Sequence, residues 1–124
     1  MSEREISITA GQVTVSAALN DTDTASAIWD ALPIEASANT WGDEIYFGIP
    51  VSAGEEMGQE VVDLGDLGYW PPGSAFCMFF GPTPMSRGDE IRPASPVTVI
   101  GRMHGDSTIL KRVPSGAPVL IERA

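Results

Sequence analysis

The chain has 124 residues, 43% of them hydrophobic, with 13 Gly, 10 Pro and a formal charge of −10 from 17 acidic and 7 basic side chains. That length suits one domain, residues 1–124, around a single core, and the hydrophobic fraction argues against disorder. The acid excess argues against nucleic acid or an anionic membrane as a partner, since both need a basic footprint; so many Gly and Pro suit short strands and tight turns rather than a helical bundle.

The first residues, Met1-Ser2-Glu3-Arg4-Glu5, are charged and lack the apolar stretch of a signal peptide. Ile6 and Ile8 alternate with polar residues. After Ala10-Gly11 the alternation resumes at Val13, Val15, Ala17 and Leu19, which predicts a hairpin with one buried face. A short helix follows. Asp23 or Thr24 is placed to cap it, Ala25, Ile28, Trp29 and Leu32 form its apolar stripe, and Pro33 stops it. Ile34, Ala36 and Ala38 read as a strand entering a turn at Trp41-Gly42-Asp43, and Ile45, Phe47 and Ile49 as the strand leaving it.

Glu55 to Glu60 is an acidic loop, and Val61-Val62 begins a short strand. Gly65 to Gly73 reads as a tight loop carrying Tyr69 and Trp70, followed by the apolar strand Ser74 to Phe80 and a second proline turn. Arg87 to Ser95 is a polar loop. Val97 to Ile100, Ile109 to Val113 and Val119 to Ile121 complete the strands. About eight short strands at this spacing predict a β-sandwich or barrel, and closure into a barrel would hide the strand edges.

Two aromatics on a Gly/Pro loop beside a buried strand suit a shallow apolar pocket, so Tyr69 and Trp70 are the leading ligand contacts. They are weighed about equally against simple packing over a barrel mouth. Trp41, Glu44 and Tyr46 are candidates for the same cleft, although a strand end packed on a turn explains them as well. Cys77 is the one cysteine and His104 the one histidine. A nucleophilic pair would need them in contact, and a core-filling thiol is the commoner arrangement. One Cys and one His exclude the usual zinc spacings, and the acidic loop fits no EF-hand pattern, so no metal or cofactor is expected. A free thiol and the absence of a membrane-length apolar run point to the cytoplasm.

Ala27-Ile28-Trp29-Asp30-Ala31-Leu32-Pro33, Asn39 to Phe47, Gly65 to Pro84 and Ile91-Arg92-Pro93-Ala94-Ser95-Pro96-Val97 together resemble the small stand-alone cyclophilin-like proteins of bacteria and archaea. The resemblance implies an all-β fold, a closed eight-stranded barrel with a short helix capping one end. True cyclophilins are prolyl isomerases that place an arginine guanidinium beside the substrate proline. Their Ser-Gln-Phe-Phe-Ile strand is matched here by Ser74-Ala75-Phe76-Cys77-Met78, with Ala75 at the substrate-binding glutamine and Cys77 at the pocket-floor phenylalanine. Their Phe-His-Arg-Ile strand has as nearest counterpart Glu44-Ile45-Tyr46-Phe47, which carries no base.

Three readings follow. The first is a binding module that holds a small apolar, peptide or proline-bearing ligand against Tyr69, Trp70, Phe76 and Met78; should the register turn Phe76 and Met78 inward, Ala75 and Cys77 line the cleft instead. The second is a divergent prolyl isomerase, which requires Arg87, Arg92 or Arg102 in the cleft. The third is an interaction domain with Tyr69 and Trp70 beneath a second subunit.

Overall fold

A computed structural model describes residues 4–124. Strands β1 (Arg4–Ala10) and β2 (Val13–Leu19) form the first hairpin, and helix α1 (Asp23–Ala31) follows. Then come β3 (Ile34–Ser37), β4 (Asn39–Thr40), β5 (Glu44–Gly48), β6 (Asp66–Trp70), β7 (Ala75–Phe79), β8 (Thr98–Met103) and β9 (Pro118–Arg123). The sheet order is β3-β9-β1-β2-β8-β6-β7-β5-β4, and every neighbouring pair is antiparallel.

The two ends of that order are β3 and β4, which are consecutive in the chain and separated only by Ala38. One segment therefore pairs with β9 on one side and β5 on the other, and the sheet curls into a nearly closed barrel. Counted as one broken strand, β3 and β4 bring nine strands to the expected eight. At the break, Ala38 N–H donates to Ala117 O and Ala38 O accepts from Gly116 N–H, so the backbone stays paired.

Alternation decides what fills the barrel. Ile6, Ile8 and Ala10 on β1 and Val13, Val15, Ala17 and Leu19 on β2 all point inward. Tyr69, Phe76, Met78 and Phe47 fill the same interior, with the Phe47 and Phe76 rings stacked at 5.4 Å. Helix α1 adds Ala25 and Ile28 to this core. Its N-cap is Thr22, whose hydroxyl accepts from Ala25 N–H, rather than Asp23 or Thr24. Glu56 supplies a second cap from the acidic loop by accepting from the backbone of Asp23 and Thr24, which holds its carboxyl below the usual range. Trp29 is half-buried under the guanidinium of Arg123, 4.3 Å from its ring.

Three expected elements differ. The stretch from Gly65 to Trp70 is mostly strand β6, because its backbone completes ladders with β7 and β8. Only Pro71–Gly73 turns, as a short 3-10 helix. Val61-Val62 forms a single bridge, from Val62 to Ile91, and no ladder. Ser107–Arg112 is a 3-10 turn instead of a strand: Asp106 accepts from Thr108 N–H and starts the turn, and Leu110 alone of its large apolar side chains enters the core.

Tyr69 shows how closely this interior is specified. Its hydroxyl donates to Val51 O at 2.7 Å and accepts from Ala53 N–H at 3.1 Å, tying the segment after β5 to the barrel. The Tyr69→Phe variant leaves both backbone groups without that partner in a buried site. It is expected to lower unfolding stability by about 1–3 kcal/mol in urea denaturation, with the spectrum of a native barrel retained; an unchanged midpoint would show that water replaces the hydroxyl at no cost.

Candidate functional site

Strand β7 is apolar on both faces. Phe76 and Met78 enter the barrel, while Ala75, Cys77 and Phe79 point outward into a second, smaller core with Val62, Ile91 and Val97. That outer core lies beneath the segment after β7, which is tied down at several points. Asp43 N–H donates to Pro82 O, Phe80 N–H donates to Asp43 O, and Gln59 and Val97 exchange backbone hydrogen bonds. Thr83 is the hub of the segment itself: its hydroxyl donates to Arg92 O and accepts from Met85 N–H, and its own N–H donates to Ser86 Oγ.

Between this segment and the barrel wall lies a cavity of about 240 Å³. Cys77 lies on its floor, Tyr46, Glu44 and Trp41 form one side, and Trp70 with Pro93, Ala94 and Val97 complete it. The register explains the set. Tyr46 is directly opposite Cys77 on β5 and Trp70 is opposite Ala75 on β6, so all face the same side of the sheet. Trp41 and Glu44 are the two residues that close the β4–β5 hairpin, each donating its N–H to the other's carbonyl at 2.9 and 3.2 Å. Gly42 between them has φ +61, and a Cβ there would sit 2.8 Å from Pro84 Cδ, so this turn needs glycine. Trp70 is fixed twice: its indole N–H donates to Ser95 Oγ at 2.6 Å, and its ring lies over Gly73, where a Cβ would approach to 2.8 Å.

The proposed contacts thus divide. Trp41, Glu44, Tyr46, Trp70 and Cys77 surround one cavity. Tyr69, Phe76 and Met78 do not reach it; they alternate to the inner face, each fully buried in the barrel. Ala75 is on the outer face and joins the outer core without lining the cavity. Pro93, Ala94 and Val97 were not among the expected contacts; the signal for them was the short stretch Pro93-Ala94-Ser95-Pro96-Val97, whose prolines favour extended chain over helix.

No Arg, Lys or His lines this cavity among the described residues. Arg92 is held by Glu90 at 2.7 Å and Glu60 at 3.6 Å, and Arg102 by Asp66 at 3.5 Å. Arg87 belongs to the outer loop near Glu90. None of Arg87, Arg92 and Arg102, the arginines on which the isomerase reading depends, lines the cavity. His104 is hydrogen-bonded to Glu5 at 3.0 Å, so the Cys77–His104 pair does not form.

What the cavity does hold is a carboxyl group. Glu44 is 5% exposed and takes part in none of the ion pairs among the described residues. Burial raises its pKa from the ordinary 4.5 to about 7, against which a hydrogen bond from the Cys77 thiol works only in part. The thiol, also 3.9 Å from Ala75 O, is pushed well above its usual range by burial and by the neighbouring carboxyl. No group of three or more His, Cys, Asp or Glu placed to hold a metal occurs among the described residues, and no helix there is long and apolar enough to cross a membrane.

A nearly closed antiparallel barrel with one short helix defines the class. The chain belongs to the cyclophilin-like family, whose model it matches over residues 4–122. Among solved structures it is similar to a hypothetical protein of Archaeoglobus fulgidus, determined in solution. The two share 45% sequence identity with a TM-score of 0.84, over 98% of this chain and 95% of that one. It also shares its fold with McbB, determined in complex with tryptophan, at 14% identity and a TM-score of 0.68, over 95% of this chain and 44% of that one. No curated protein matches it.

Two outcomes follow from the buried pair. From pH 4.5 to about 7 the folded chain keeps a proton on Glu44 that the unfolded chain has released, so this group's contribution to stability falls as pH rises through that window. Glu44→Gln removes the titration. Urea denaturation at about pH 5 and about pH 8 is expected to show a smaller pH-dependent loss in the variant than in the wild type, by roughly 2–3 kcal/mol; equal losses would mean that Glu44 titrates normally. Cys77, protonated and 2% exposed, is expected to react with a thiol-specific disulfide reagent many times more slowly in the native protein than in urea. Comparable rates would place a thiolate at the surface.

Proposed function

We propose that this barrel is a binding module that takes a small, largely apolar ligand or peptide side chain into the cleft between β5, β7 and the Pro93–Val97 segment. The observation that carries this reading is a preformed cavity of ligand size walled by Trp41, Tyr46 and Trp70, with one buried carboxyl among them. Pockets of this kind combine apolar walls with few polar groups that fix orientation. Trp70 is held in place before any ligand arrives, which lowers the ordering cost of binding. McbB, which shares this fold over 44% of its own length, was determined in complex with tryptophan, a parallel of fold alone.

The family resemblance favours a proline-bearing peptide as one ligand, and isomerisation is the second reading. Catalysis in true cyclophilins depends on the guanidinium, and Arg92 and Arg102 are paired with acids outside this cavity. Binding without turnover is the expected behaviour. A proline peptide and a panel of small apolar and aromatic metabolites, followed by NMR with exchange spectroscopy on the peptide, test both readings. Shifts are expected at the indole signals of Trp41 and Trp70, with no acceleration of cis–trans exchange, and Trp70→Ala is expected to weaken binding at least tenfold. Accelerated exchange would establish an isomerase; no shift with any compound would count against a ligand-binding cleft.

A further inference from the structure

Resting on the binding reading, we propose that the cleft is a cage for an alkylated ammonium group, with Trp41, Tyr46 and Trp70 as its aromatic walls and Glu44 as its counter-charge. The first support is the composition of the walls. Three electron-rich rings line one cavity with no basic side chain among the described lining residues, and aromatic faces attract cations through their quadrupoles. The second is the state of Glu44. It is more than nine-tenths buried, faces the cavity, and has no cationic partner among the described residues, whereas the adjacent Asp43 is paired with Lys111 at 3.8 Å. An ionised carboxylate in such a place is costly unless a positive charge accompanies it. A cation in the cavity would supply that charge at a site already desolvated.

The degree of alkylation follows from the donors and acceptors available. A primary ammonium carries three N–H groups, each needing an acceptor once removed from water. The side chains lining the cavity are mainly ring faces and hydrocarbon, with Glu44 as the one carboxylate. Methyl groups on nitrogen suit those surfaces and remove the need for acceptors. The net charge of −10 adds a long-range field that favours cations over anions.

The titratable side chains that share the cavity with Glu44 are Cys77 from β7 and Tyr46 from β5; the covering segment contributes Pro93, Ala94 and Val97, which carry no charge. A cation bound beside Glu44 favours the ionised form, so its binding should release a proton and strengthen as pH rises through neutrality.

The test compares choline with its neutral carbon isostere, 3,3-dimethylbutan-1-ol, and with a peptide bearing trimethyllysine, using NMR titration at about pH 6 and about pH 8. Choline or the trimethyllysine peptide is expected to bind about tenfold or more tightly than the isostere, with affinity rising between the two pH values while that of the isostere does not. Glu44→Gln, checked for native dispersion in its own spectrum, should reduce the preference several-fold and remove the pH dependence, and Trp70→Leu should weaken every cationic probe. A preference for choline points to a free metabolite, and one for the peptide to a modified side chain of a partner. Equal or tighter binding of the isostere, or a preference and pH dependence left unchanged by Glu44→Gln, overturns the cage and leaves the ligand-binding cleft standing. If no cationic probe binds, the cage is likewise overturned; the apolar and peptide panel then judges the binding reading separately.

Discussion

The structure depends on β7 being buried on both faces. A strand at the wall of a small barrel commonly shows one face to water and alternates accordingly. Here Ala75–Phe79 is apolar at every position, and all five residues are buried. The inner face contributes Phe76 and Met78 to the barrel core, and the outer face forces the chain to bring a cover. The segment from Gly81 to Val97 is that cover, held by Asp43, by the Thr83 hub and by bridges from Gln59 and Val62. A cavity forms where the cover and the wall fail to meet over Cys77.

The unusual chemistry of Glu44 follows from the same arrangement. As the residue closing the β4–β5 hairpin, it would be exposed on a barrel with a bare outer wall. Beneath the cover it loses water and gains only a thiol as partner, so its carboxyl is held protonated up to about neutrality. Asp66, one strand further along, is a useful contrast: burial raises its pKa too, but Asp63 N–H and Arg102 work against the shift. The chain therefore satisfies one buried carboxylate with donors of its own and leaves the other facing a cavity. Because β5 and the hairpin turn fix the Glu44 backbone on both sides, its place in the cleft is set by the fold rather than by a flexible loop.

Much of this was legible in the sequence where a period was present. The β1–β2 hairpin alternates over its whole length, and every inward residue read from it is in the core. The helix and its stop at Pro33 were equally plain, with only the cap displaced to Thr22. The stretch Gly65 to Trp70 was harder. Its glycines suggest a loop, but Gly68 serves packing: a Cβ there would come within 3.1 Å of both Phe79 and Val97, so the strand needs a residue without one. Parity was hidden in β7 for a related reason. An all-apolar run gives no sign of which face is inner, so the sequence leaves open whether Phe76 and Met78 or Ala75 and Cys77 line the cleft. Tyr69 reads as a cleft residue because it is large and aromatic, and its buried hydroxyl has partners, Val51 and Ala53, that no local pattern announces. Glu44 and Trp41 could be named as neighbours of the cleft, but the burial that shifts Glu44 comes from residues some fifty positions later.

The floor of the cleft explains why it can be a cavity at all. The resemblance to true cyclophilins aligns a glutamine with Ala75 and a phenylalanine with Cys77, and both positions lie on the outer face of β7 in this barrel. Two large side chains there would occupy the space that Cys77 leaves open. The indoles of Trp41 and Trp70 wall the cavity above that floor. Polarity differs too: the resemblance to true cyclophilins implies a guanidinium beside the ligand, and this cavity holds a carboxyl and no basic side chain among the described residues. A carboxyl offers at most one donor, when protonated, where a guanidinium offers five. A small floor, aromatic sides and an acidic group form one set, and it is on that set that the proposed binding reading rests.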